Sequence, residues 1–329
     1  MNNPAYVLKP DWQSLYNSVE LLGNPEVILA KRYLKGVLGN SIQAYTNTST
    51  VQNGLTKFGA ESYVTTNGLP IKQIGGNAQY LGDDNIANTF ANRDPRFSKA
   101  FGKQDYAYSD KPLTGLTSVT GYVFQLFNNP TTSGTEVTTI GQNQIDAPVF
   151  TLSEVYLNYA EACAELGTVT NADLDMSINK VRARAGIAAL TTDGINATAA
   201  GVQINDAQRV TALEQISGIV SPIIWEVRRE RRIEFMSWTA LRKADILRWK
   251  KGDYLDTTTN PDVALGARIP ALIGTSSKTK VNASGYVIPY AAGVSRAFVS
   301  PKNYLTAIPT NDISLYAAEG VELKQNSGW

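Results

Sequence analysis

The chain has 329 residues, 43% of them apolar and only 18% charged, so there is material for a sizeable core under a surface that leans on Asn, Thr, Ser and Gln. The 30 Lys and Arg nearly balance the 29 Asp and Glu, for a net charge of +1, which leaves no basic field to steer a polyanion and excludes nucleic acid as the expected partner. One cysteine, Cys163, and no histidine exclude an internal disulfide, a Cys/His zinc site and every mechanism that uses imidazole as base.

The opening residues from Met1 lack the basic and apolar regions of a signal peptide, and no run of about 20 apolar residues would span a membrane. Residues 36–150 are rich in Gly, Asn, Thr and Pro, with turn signals at Asn67-Gly68, Gly75-Gly76, Gly82-Asp83 and Asn129-Pro130. They predict loops with short strands. A stretch that long either folds over a helical scaffold or is itself a binding surface.

Residues 151–252 predict helices. The first opens at Leu152-Ser153-Glu154, with Ser153 as cap and Gly167 as terminator. Val155, Tyr159, Cys163 and Leu166 recur at spacings of four, four and three. The second starts from a cap at Asn171 and carries Asp173 and Asp175 in or near its first turn. Its apolar stripe is Leu174, Ile178, Val181 and Ala185, and Gly186 ends it. Two amphipathic helices joined by a short turn pack antiparallel, and the unit from Ser153 to Gly186 has the length of one tetratricopeptide repeat, roughly 34 residues. A third block begins at Ser221-Pro222, a cap followed by Pro at the first helical position. Glu226, Glu230 and Glu234 alternate there with Arg228, Arg229, Arg231 and Arg232, the pattern of a surface laced with i,i+4 ion pairs, each worth roughly 0.3–0.5 kcal/mol. Ser237 is placed to break the block, with Trp238, Leu241, Ile246 and Trp249 on the following helix and Gly252 at its end. The Pro-rich tail from 253 to 329 returns to loops, with Tyr286-Val287-Ile288 as a candidate strand. The fold these elements predict is mainly α.

Two kinds of residue could carry function. Asp83-Asp84, with Asn85, offer oxygen ligands that leave room for a structural calcium, or a carboxylate pair; adjacent acids in a Gly-rich loop more often form a solvated turn. Aromatic faces in the loop-rich stretch could stack on sugar rings: Tyr45, Phe58, Tyr80, Tyr106, Tyr108 and Tyr122. Tyr63, Trp225, Trp238 and Trp249 read as packing residues.

Several segments, in order, carry a resemblance. Asn24-Pro25-Glu26-Val27-Ile28-Leu29-Ala30, Asp94-Pro95-Arg96-Phe97, Leu152-Ser153-Glu154-Val155-Tyr156-Leu157-Asn158-Tyr159-Ala160-Glu161-Ala162 and Ile178-Asn179-Lys180-Val181-Arg182-Ala183-Arg184-Ala185-Gly186 are the first four. The Arg-rich run Arg228 to Phe235, Asp245 to Gly252, Ile308-Pro309 and the closing Gln325-Asn326-Ser327-Gly328-Trp329 complete them. Together, over residues 24–329, they resemble the C-terminal portion of the SusD/RagB family of nutrient-binding outer-membrane lipoproteins. Ser237-Trp238 and Ser327 depart from its pattern. The resemblance implies a SusD-like fold with a tetratricopeptide-like helix pair, in one domain over 1–329 from which the family's N-terminal helical part is absent, so that Met1 is not expected to be the natural start. It implies a protein on the extracellular face of the outer membrane, lipid-anchored outside this chain, that captures an oligosaccharide or a peptide for a SusC-like TonB-dependent channel and needs no catalytic residue or cofactor. The loops after the first segment contribute to binding in that family, which places Tyr45 and Phe58 first among the aromatics. A carboxylate-based glycan hydrolase and a helical-repeat adaptor are the alternatives.

Overall fold

The computed structural model describes residues 5–47, 53–102, 118–276, 279–290 and 293–329. Short elements fill the first half: α1 (Ser14–Asn17), β1 (Val27–Lys31), α2 (Ile42–Asn47), α3 (Lys57–Ala60), α4 (Ile86–Phe90), α5 (Pro95–Ala100), α6 (Thr135–Thr138) and β2 (Ala147–Thr151), which pairs antiparallel with β1. The expectation of loops and short strands over 36–150 is corrected in part, because the regular structure described there is mostly single helical turns. The residues that signal turns also cap helices. Thr56 accepts a hydrogen bond from the Gly59 amide, Asn85 from that of Asn88 and Asp94 from that of Arg96, each satisfying a donor that a helix start leaves open.

The second half is longer helix: α7 (Leu152–Glu165), α8 (Asn171–Met176), α9 (Ile178–Ala185), a small antiparallel meander β3 (Leu190–Thr192), β4 (Ala197–Ala199) and β5 (Val202–Gln203), then α10 (Ala212–Ile216), α11 (Pro222–Glu234) and α12 (Thr239–Arg248). In the tail, α13 (Thr310–Ala318) follows a series of turns, and Tyr286 and Val287 make isolated bridges to Arg268 and Val281 in place of a strand. The fold is mainly α.

Three helical expectations change in detail. The face α7 buries is Leu152, Ser153, Tyr156, Leu157, Ala160 and Ala164, while Val155 is 43% and Leu166 77% exposed. Both stripes have helical spacing; the one carrying the small residues faces α11 and α9, whose approach no property of α7 alone announces. The second limb of the helix pair is two helices. Thr170, not Asn171, caps α8 through a reciprocal box with Asp173, and the Ser177 hydroxyl donates to the Asp173 carbonyl at the break, a side-chain bond that competes with the helical ladder. The stripe Leu174, Ile178, Val181 and Ala185 is buried as its spacing predicts, and Gly186 closes α9 at φ 74°.

Two apolar clusters form the core. One gathers Trp12, Leu15, Tyr63, Phe97, Phe101 and Leu126 with Ile233; the other gathers Leu157, Ala160, Leu174, Ile178 and Val181 with Ile223, Val227 and Phe235. Helix α11 supplies side chains to both. The weak surface ladder expected along it is corrected: Glu226, Arg229, Glu230, Arg231 and Glu234 are all buried. Most of their partners come from distant segments. Glu230 accepts from Arg96 at 2.6 Å and Arg182 at 2.9 Å, and Glu234 from Arg96 at 2.8 Å and from Arg184. Asp94 backs Arg96 at 2.7 Å, and Glu26 backs Arg184 at 2.5 Å. Arg231 pairs with Asp245 at 2.8 Å, while Arg248 pairs with Glu161 at 2.5 Å. Helical periodicity alone left α11 on the surface because Arg and Glu are seldom buried unless paired, and the partners lie as far as 138 residues away. Gly68 shows how tight this region is: its φ is +79°, and a Cβ there would lie 2.5 Å from an Arg182 nitrogen.

Burial raises Glu226, which shares Arg229 with Asp206, above the ordinary carboxylate range; Glu234 is also buried, but Arg184 and Arg96 outweigh this and hold it below. In urea denaturation at pH 7, Glu234→Gln is expected to cost about 3–5 kcal/mol, because it removes the buried carboxylate that Arg96 and Arg184 share, and Glu226→Gln to cost clearly less, because burial already disfavours its charge and Arg229 keeps Asp206. The Glu234 contribution is present above the unfolded carboxylate value, about pH 4.3, and is lost as pH falls through its lower folded value; the Glu234→Gln variant should lack that part of the acid limb. The buried face of α7 gives a second test, in which Leu157→Ala costs about 2–5 kcal/mol and Val155→Ser stays within about 0.5 kcal/mol.

Candidate ligand-binding cleft

A cleft of about 350 Å³ opens between the loop that follows β1, helix α2, the start of β2 and the corner between α11 and α12. Its aromatic walls are Tyr33, Tyr45, Phe127 and Trp238, with Tyr16 at the base; Asn40, Ser41, Asp146 and Ser237 supply polar groups.

Each wall is fixed locally. Asn40 starts α2 by accepting from the Ile42 amide at 3.0 Å, and its side-chain amide donates to the Ile145 carbonyl at 2.8 Å. The backbones of Asn40 and Asn143 exchange hydrogen bonds of 2.7 and 3.0 Å. Gly39 permits this pairing, since a Cβ there would sit 1.9 Å from the Gly141 carbonyl oxygen. Asp146 is 2% exposed and accepts from the Leu21 amide at 3.0 Å and the Tyr33 amide at 2.8 Å, so its charge anchors the loop carrying Tyr33. The Lys31 ammonium lies 5.2 Å from the centre of the Tyr33 ring. Tyr45 stands on α2 and is 58% exposed, presenting its ring to solvent at the cleft wall. Trp238 packs edge-on to Phe235 at 6.0 Å. The Ser237 hydroxyl beside it is sealed from solvent and has no hydrogen-bond partner among the described residues.

Of the aromatics singled out in the sequence, the structure brings Tyr45 to this cleft. Phe58 lies elsewhere, edge-on to Tyr254 at 4.8 Å with the Arg232 guanidinium 4.4 Å from its ring centre. Tyr122 is corrected to a core residue: it is 4% exposed and packs on Phe90 and Phe97, which removes its faces from any ligand. Tyr63, stacked on Phe97 at 4.7 Å, is core as expected. Tyr80 carries the Arg93 guanidinium 5.6 Å from its ring. Tyr106 and Tyr108 lie outside the described residues.

The pair Asp83-Asp84 is engaged by the protein's own side chains. Arg268 contacts both carboxylates, and the Tyr286 hydroxyl donates to Asp83 at 2.8 Å, so the two acids tie the 268–286 turn to the 83–84 loop through a cation already in place. Among the described residues no cluster of three or more His, Cys, Asp or Glu is arranged to hold a metal ion.

The residues missed in the sequence are Tyr33, Asn40, Phe127 and Asp146, together with Trp238, which both packs and lines the cleft. Tyr33 stands two residues beyond β1, a position that could have drawn notice; Phe127 and Asp146 reach the site only through folding over more than 90 residues of chain.

A family model described as the SusD family matches residues 25–329. No curated protein sequence matches the chain. Among solved structures, a SusD-like carbohydrate binding protein of Bacteroides fragilis aligns with a TM-score of 0.63 at 21% identity, over 94% of this chain and 57% of that one. A second SusD-like protein of Bacteroides fragilis aligns at 0.60 and 20% identity, over 99% of this chain and 59% of that one. The likeness to both is one of fold, and this chain spans less than two thirds of the length of either. With the family model matched from residue 25 to the last, Trp329, the chain belongs to the SusD family.

Proposed function

We propose that this chain binds oligosaccharide in the cleft walled by Tyr33, Tyr45, Phe127 and Trp238 and breaks no bond in it. The observation that carries the reading is the lining itself: aromatic side chains set beside the hydrogen-bonding groups of Asn40, Ser41 and Asp146 in a concave site. Sugar rings present apolar faces and rims of hydroxyls, which such a lining can cover and pair. The description of the first Bacteroides fragilis protein as carbohydrate binding supports the same ligand class.

Two features support binding without turnover. The chain has no histidine, and the one carboxylate lining the cleft, Asp146, is engaged by two backbone amides, whereas glycoside hydrolysis ordinarily uses a pair of carboxyl groups. The full role we propose is that of a lipid-anchored protein on the outer surface of the outer membrane that passes its ligand to a TonB-dependent channel. No described helix is long and apolar enough to cross a membrane, so attachment in this reading falls to an anchor outside the chain.

Calorimetric titration against a panel of neutral oligosaccharides and short peptides tests the ligand class. Saturable binding of at least one oligosaccharide is expected, without release of reducing sugar on prolonged incubation. Tyr45→Ala should weaken it about tenfold or more, the size of a buried aromatic contact, while leaving stability within about 0.5 kcal/mol because the residue is exposed. Binding of peptides alone, or sugar release, would overturn the reading.

A further inference from the structure

A second, smaller cavity lies between α11 and α12, apart from the cleft, and its charges do not balance. Its lining includes Arg228, Arg229, Arg232, Arg242 and Lys251 and no acidic residue. Three of these cations are answered from outside the lining: Arg228 by Glu165 at 2.7 Å, Lys251 by Glu214 at 2.5 Å, and Arg229 by Glu226 at 3.1 Å and by Asp206. Arg232 and Arg242 make no ion pair with any described residue. Arg232 donates one hydrogen bond, to the Phe58 carbonyl at 3.0 Å. Its Nε, and Nη1 of Arg242, are sealed from water with no acceptor among the described residues.

What surrounds the two guanidiniums is aromatic. Their central carbons lie 5.8 and 6.0 Å from the centre of the same Tyr254 ring, with Phe58 flanking Arg232 at 4.4 Å and Trp249 flanking Arg242 at 5.8 Å. The Tyr254 hydroxyl is spent on Glu214. Aromatic faces attract cations but accept no in-plane N–H bond, and two like charges around one ring repel. Burial and the neighbouring Arg242 push Arg232 down to about 9, the mark of a cation short of a counter-charge.

We propose that this cavity binds one small oxyanion, a carboxylate, sulfate or phosphate group, bridged between Arg232 and Arg242. A guanidinium presents its donors as a planar fork matched to two oxygens of such a group. The cavity measures about 40 Å³, where a single water needs roughly 10–15 Å³ on the same measure. That is room for the anionic group and not for a sugar ring. The site is independent of the aromatic cleft, so the two proposals stand or fall separately.

The test titrates the full chain with sodium sulfate, phosphate and acetate over a chloride background of constant ionic strength, following tryptophan fluorescence, since Trp225 and Trp249 line the cavity, together with the melting temperature. A saturable response to at least one anion is expected. A response to sulfate or phosphate alone assigns the site to a tetrahedral oxyanion, and a response to acetate to a carboxylate such as acidic sugars and peptide termini carry. Arg242→Gln should raise the half-saturating concentration at least about tenfold, with Arg242→Lys falling between, as expected for loss of a charge-assisted fork. In anion-free buffer Arg242→Gln should melt no lower than the parent, since it relieves an unanswered charge; an arginine that only supports packing would lower it. No saturable response from any of the three anions in the parent protein, or an undiminished response in Arg242→Gln, overturns the proposal. If Arg242→Gln does not fold, the parent titrations and Arg242→Lys decide.

Discussion

Three buried arginines, Arg96, Arg182 and Arg184, converge on two carboxylates of one helix, Glu230 and Glu234, with Asp94 and Glu26 supplying the rest of the negative charge, and four distant segments are positioned by that requirement. A guanidinium taken out of water costs several kcal/mol unless nearly all its donors are met. Arg96 is met by Asp94, Glu230 and Glu234 together, and Arg184 by Glu26 and Glu234. Such a network adds little net stability over a well-packed apolar core, but it admits few alternative arrangements, because any shift of register strands a charge. Helix α11 is therefore fixed between the two apolar clusters by charge as well as by Ile233 on one side and Val227 on the other.

The cleft inherits its geometry from this arrangement. Glu26 stands at the start of β1, so its pairing with Arg184 sets where the strand runs and where Tyr33 arrives beyond it. The Tyr16 hydroxyl donates to the Glu234 carbonyl at 3.3 Å, which puts Tyr16 and its neighbour Phe127, 6.4 Å away ring to ring, at the base. The end of α11 delivers Ser237 and Trp238 to the opposite wall. Asp146 then locks the Tyr33 loop through backbone amides. The charged groups build the frame, and the surface offered to a ligand is mainly aromatic, with Asp146 the one carboxylate among its described lining residues. The cavity between α11 and α12 reverses this order: its aromatic groups form the frame and its cations are left over.

Particular residues show where a sequence reading carries and where it stops. Leu174, Ile178, Val181 and Ala185 were legible because a buried stripe at helical spacing needs only its own period. The face of α7 was not, since Val155-Tyr159-Cys163-Leu166 and Leu157-Ala160-Ala164 are both spaced as stripes and the choice belongs to the helix that packs against them. Tyr45 was legible as an aromatic in a loop-rich stretch. Tyr122, in the same stretch, was not distinguishable from it, because its burial is decided by Phe90 and Phe97.

By itself the sequence determined the mainly helical character, the C-terminus of α9, the N-terminus of α11 and membership of the SusD family. These depend on local periodicity, caps and ordered motifs, all of which are properties of neighbouring residues. It also determined that no imidazole takes part in whatever this chain does. Only the tertiary structure decided that the Arg- and Glu-rich helix is interior, which aromatics face a cleft, and which arginines have no carboxylate partner among the described residues. Burial and pairing of charge are set by groups as far apart as Glu26 and Arg184, 158 residues, and no spacing along the chain records that distance once it is folded.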